Sequence, residues 1–263
     1  MVIIEEPILT GVKVESLDDS IFSTEVISDQ VVEGTVCINE YCVMSIRQSF
    51  ISKVYSILWV QLSLTSIFLG LCNQVPLIHN FMISPLGIQL SYLSCGLLFI
   101  QMISLFCLYN SVRRSPYNWL FTGLFTILMI YSLGIVGSIT DTKTLLLSGL
   151  STLGIFSGLT LYAIQTKVDY TIYGNVMIVT LFGLIIFGFI ASFIQAALLN
   201  MIYSVGGAVI FSFYIIYDTQ LLIGGNNRRI QYTTNDFALA SINLYLDVVN
   251  LFLFLLDLMS GNR

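Results

Sequence analysis

Two aspartates stand where a carboxylate is costly. Asp218 lies near the end of one apolar run and Asp247 near the middle of the next. An ionisable group inside a bilayer costs at least ~2.5–3.5 kcal/mol on insertion scales, so such groups mark functional candidates. Asp236, Asn243, Asn250 and Asp257 recur every seven residues, and Asp247 follows Asn243 by four. At 3.6 residues per turn these five form one stripe, which must face protein or water rather than lipid. Carboxylates are the ligands that calcium prefers, and two that meet in a dry place can share a proton. The pair Asp218 and Asp247 therefore suits a proton-sensitive gate or a hard-cation site holding calcium transiently. It suits equally a neutral structural pair, hydrogen-bonded to Asn243 and Asn250.

The elements that position these residues are long and apolar. A spanning helix needs about 20 mostly apolar residues, and seven runs qualify: 54–72, 86–109, 119–139, 145–164, 173–194, 199–223 and 237–258. The last carries the polar stripe, so it crosses fully or enters and returns, and it belongs at the centre with the others around it. About 13 residues join the last two runs, which makes them an antiparallel hairpin. Along its axis the two aspartates differ in depth by ~8 Å, a gap that tilt or staggered ends would close. Thr233 to Asp236 resembles a capping box with Thr233 as the cap, which gives Asp236 a local role, and Asp257 reads as an interfacial acid at the other end.

Composition agrees. Of 263 residues 56% are hydrophobic and 10% charged, with a mean hydropathy of +0.89. An ordinary soluble domain is about a quarter charged, so a soluble enzyme, a disordered chain and a nucleic-acid binder are excluded. The expected fold class is all-α, a polytopic membrane protein. Residues 1–45 hold nine acids and one base and read as a flexible acidic tail ahead of a membrane domain of residues 46–263. With the N-terminus cytoplasmic, Lys13, Arg47, Lys53, Arg113, Arg114, Lys167, Arg228 and Arg229 fall inside and only Lys143 and Arg263 outside. The start of the chain lacks the basic and apolar regions of a cleavable signal, so the first span is expected to direct insertion.

Other motifs carry less. Five cysteines with a single histidine, His79 in a short outer loop, make a structural zinc site or a disulfide framework unexpected. No nucleophile–base constellation is present, so an enzyme is not expected and no cofactor is implied. Gly154 and Gly158 form a small-xxx-small motif that reads, like Gly206-Gly207, as a close approach of helices within the chain.

Longer stretches resemble a known family. Tyr217-Asp218-Thr219-Gln220, then Asn243-Leu-Tyr-Leu-Asp247 after an Arg-bearing loop, resemble the C-terminal signature of the transmembrane Bax inhibitor motif family. Ile46-Arg47 with Phe50 and Lys53-Val54-Tyr55 agree, as do Arg113-Arg114 with Pro116 and Asn118. Gln165-Thr166-Lys167-Val168-Asp169-Tyr170-Thr171 completes a pattern characteristic of its Lifeguard branch.

The resemblance implies a seven-helix fold with the last helix enclosed, a pH-dependent calcium leak from intracellular stores, and suppression of apoptosis. It places Asp218 and Asp247 on the family's pH-sensing pair, with calcium as the permeant ion, and makes Arg113 or Arg114 a latch onto Asp218. The same two arginines read equally as topology-setting bases. The partners expected are the lipid bilayer, calcium and apoptosis regulators, with oligomeric state open. The location implied is the Golgi or endoplasmic reticulum, with the plasma membrane as an alternative. The rival reading is a non-conducting inhibitor that binds a death receptor or a Bcl-type partner in the membrane. The chain departs from the Lifeguard pattern in its short acidic tail, where the branch carries a long Pro/Gly/Tyr-rich one. A short tail on an intact membrane body would suit a virus-acquired copy of a cellular gene.

Overall fold

A computed structural model describes residues 29–107, 116–194, 196–224, 232–233 and 236–261, with side chains from residue 45 onward except that of Phe106. The chain divides into two units, Met1–Ser45 and Ile46–Arg263. In the first, the acidic segment is helical over 29–45, while the flexible tail expected for residues 1–28 lies outside the described residues.

The helices are α1 (Asp29–Gln74), α2 (Pro76–Met82), α3 (Pro85–Cys107), α4 (Tyr117–Ile139), α5 (Thr142–Gln165), α6 (Gly174–Ile194), α7 (Ala197–Ile223) and α8 (Phe237–Ser260), with a 3₁₀ turn at Tyr170–Tyr173 before α6. Among the described residues there is no strand. Seven segments are long and apolar enough to cross a membrane, namely Ser45–Gln74 of α1, Pro85–Leu105 of α3, α4, α5, Tyr170–Ile194, α7 and α8. Runs this apolar become helices because in hydrocarbon each N–H and C=O must find its partner within the segment. α8 is unbroken over 24 residues. At 1.5 Å per residue it is ~36 Å long, which exceeds the ~30 Å hydrocarbon core and needs no re-entrant turn.

Local chemistry sets the breaks. Pro76 and Pro85 open α2 and α3, where a missing N–H costs nothing. The short connection carrying His79 is helical, as α2. Asp141 caps α5 by accepting from Thr144 N at 3.1 Å. α7 stops at Gly224, whose φ of 62° favours glycine.

α8 is the centre of the membrane unit. In its apolar window 67% of residues are buried, against 17–33% in the other six spans. α7 and α5 pack along it, α3 packs on α4, and the core is built from Leu58, Phe125, Ile215, Ile242, Tyr245 and Leu251. Polar threads tie the helices across this core. Gln61 Nε2 donates to Thr126 Oγ1 at 2.9 Å, and the Thr65 and Tyr245 hydroxyls pair at 2.7 Å.

The close approaches differ from expectation. Gly154, Gly158 and Gly206 face open space, and the first two are exposed, so the motif on α5 joins no helices within the chain. Of the expected Gly206-Gly207 pair, Gly207 does make a close approach, covered by the Phe254 ring, and a further one is made by Gly137, where a Cβ would lie 3.1 Å from the Leu69 carbonyl oxygen. The spacing on α5 is right, but that face points away from α7 and α8.

Candidate functional site: a buried carboxyl pair

α7 and α8 form the expected hairpin, and the two aspartates meet on it. Asp218 and Asp247 are 7% and 5% exposed, and their carboxyl groups interact directly. The depth difference is closed within the hairpin. Asp247 Oδ2 is buried with no hydrogen-bond partner, and among the described residues no cation pairs with either carboxyl. Two buried carboxyls in contact can share one proton.

The asparagines of the stripe do not serve the pair. Asn243 Nδ2 donates to the Tyr232 hydroxyl at 2.9 Å, and Asn250 Nδ2 donates back to Leu246 O at 2.8 Å. Tyr232 is a neighbour the sequence did not flag. Burial, and then the charge of Asp218, push its hydroxyl well above the ordinary tyrosine value, so it stays protonated beside the pair.

The chain segment bearing Tyr232 is held by Arg47. The guanidinium donates to Tyr232 O at 2.5 Å, Leu221 O at 2.8 Å and Ile223 O at 3.0 Å. Tyr232 N in turn donates to Leu221 O at 3.1 Å. Arg47 thus collects the carbonyls left over at the end of α7 and fastens the return to α8. Next to it Lys53 Nζ sits 3.4 Å above the Phe237 ring and 5.3 Å from that of Trp119.

A second brace comes from Gln220, fully buried one turn-quarter beyond Asp218's neighbour Thr219. Its side chain donates to Val168 O at 3.0 Å and accepts from Tyr170 N at 2.8 Å, pinning the loop after α5 to α7. Asp236 accepts from Thr233 N at 3.0 Å and from its hydroxyl at 2.5 Å. This is the reach-back half of the expected capping box, with Asp236 itself at the N-cap. Arg113 and Arg114, the expected latch, lie outside the described residues.

In the sequence Gln220 figured only as a motif letter, and Arg47 as a motif letter and one of the bases on the expected cytoplasmic side. The usable signal for Arg47 was physical: a base at the mouth of an apolar helix must find carbonyls or phosphates. Nothing local marked the acceptors as Leu221, Ile223 and Tyr232, which lie more than 170 residues away.

A family model described as Inhibitor of apoptosis-promoting Bax1 matches residues 47–263. The chain is similar to Protein lifeguard 3 of Homo sapiens, 30% identical over 222 residues that cover 83% of this chain and 70% of that one. The Mus musculus protein of the same name is 28% identical over the same shares. Bax inhibitor 1 of Schizosaccharomyces pombe is 31% identical over 220 residues, covering 83% of this chain and 78% of that one.

Proposed function

Because the chain belongs to the Bax inhibitor family, we propose that it is an anti-apoptotic protein of intracellular membranes that conducts a pH-sensitive calcium leak. The observation that carries the conduction reading is the carboxyl pair of Asp218 and Asp247, buried between α7 and α8 with no cation beside it among the described residues. With one proton shared, the pair forms a hydrogen bond that holds the two helices together. Once that proton is lost, two carboxylates face each other; they repel, or they take a divalent cation whose preferred ligands they are. The leak therefore rises as pH rises through the titration of the pair. Arg47 and Tyr232 give the gate a fixed abutment, since they anchor the chain between the helices that must part.

The test is calcium efflux from liposomes holding the purified protein, at about pH 6 and about pH 8. The wild type is expected to leak faster at the higher pH, and Asp218→Asn or Asp247→Asn to flatten that dependence. A folded protein with no leak at either pH would make the aspartates structural and return the choice to a non-conducting inhibitor.

A further inference from the structure

At the end of the bundle opposite Arg47 and Lys53, a cavity of about 460 Å³ opens among α6, α7 and α8. Its lining includes Asp257, Asn200, Asn250 and Tyr203 beside the apolar Ala191, Leu253 and Phe254. Three observations make it more than a gap between helices. First, two glycines make room for its wall: a Cβ on Gly188 would strike Tyr203 and one on Gly207 would strike Phe254. Tyr203 and Phe254 then pack edge to face with centroids 5.2 Å apart. Second, the Ser204 hydroxyl donates to Asp257 Oδ2, which fixes the carboxylate from the neighbouring helix. Third, the Asn250 NH₂ is used on Leu246 O, which leaves its carbonyl oxygen as the group to offer a ligand.

We propose that this cavity binds a divalent cation, calcium above all, at the entrance to the path that ends on Asp218 and Asp247; the inference rests on the conduction reading above. The donor set is all oxygen, which is the hard-cation pattern, and the remaining positions are open to water. One carboxylate and two amides make a weak site, in the range of about 0.1–1 mM that suits a compartment rich in calcium. Asp257, Asn250 and Asp247 lie on one stripe of α8, and Asp257 is ten residues, or ~15 Å, from Asp247. Asn250 stands between them. A cation held at Asp257 is thus already on the face of the helix that carries the pair.

The experiment uses the full-length protein in detergent with terbium as the calcium probe, since Tyr203 in the cavity wall can sensitise its luminescence. Wild type is expected to give a saturable signal displaced by millimolar calcium. Asp257→Asn, which keeps the shape and the contact with Ser204, should weaken binding by about tenfold or more. Ser204→Ala, which loosens the carboxylate without removing it, should weaken it less. Equal binding by Asp257→Asn and wild type, no saturable signal at all, or an equal loss in Ser204→Ala would overturn the site. Liposome efflux separates the two ideas. Binding lost in Asp257→Asn with no leak from wild type would refute conduction and keep the site. A pH-dependent leak whose calcium dependence is the same in Asp257→Asn would keep conduction and refute the entrance.

Discussion

Arg47 reaches three carbonyl oxygens from two stretches of chain, and no other side chain has the fork to do so. Arg47→Met should leave those acceptors unpaired and cost on the order of 3 kcal/mol, read as a fall in the thermal midpoint of the purified protein. Arg47→Lys keeps the charge but not the fork, and should recover only part of the loss. Tyr232→Phe is the finer probe. It keeps the ring and both main-chain bonds, removes the acceptor of Asn243 Nδ2, and should cost about 1 kcal/mol. Because that hydroxyl lies beside the carboxyl pair, the same variant should also displace the pH dependence of calcium efflux. An unchanged profile would confine Tyr232 to a structural role. Asp218 and Asp247 were legible in the sequence because a carboxylate in an apolar run is rare and expensive. Tyr232 was not, since a tyrosine in a polar loop raises no such flag and its burial depends on an arginine far away in the chain.

Among the helices, the glycine pattern pointed correctly to Gly207 but wrongly to Gly154 and Gly158, and it missed Gly137. Gly207→Ala should push against the Phe254 ring, and Gly137→Ala against the Leu69 backbone, each destabilising by about 1–3 kcal/mol. Gly154→Ala and Gly158→Ala meet open space, so they should be neutral or stabilising by up to ~1 kcal/mol. Thermal unfolding of the four variants in one detergent checks the order, and a loss at Gly154 as large as at Gly207 would contradict it. That there are seven spans was readable, because length and apolarity are local properties, but the first helix begins at Asp29, well ahead of its apolar run. Which face of each span turns inward was readable only for α8, whose polar stripe cannot look at lipid. The other helices carry small and hydroxyl residues on several faces, and only packing against α8 selects among them.

At the scale of the molecule, the distribution of bases predicts a direction across the membrane. Arg47, Lys53 and Lys167 should lie on the cytoplasmic side, and Lys143 and the end of α8 on the other. Single cysteines placed at Lys167 and at Ser260, labelled in intact vesicles with an impermeant reagent, should react from opposite sides. Reaction from the same side would mean that α8 does not cross. The enclosure of α8 has a further bearing, on how such a protein is made. The helix at the centre follows six other spans in chain order, so a ribosome delivers the wall before the post it is built around. Until α8 arrives, Gln61, Thr65 and Thr126 line an unfilled interior, and Tyr245, the partner of Thr65, is still to be synthesised. The nascent bundle must therefore stay open, or sheltered by the insertion machinery, through most of its synthesis, and a chain cut short ahead of Phe237 would reach quality control as a shell with nothing to close upon.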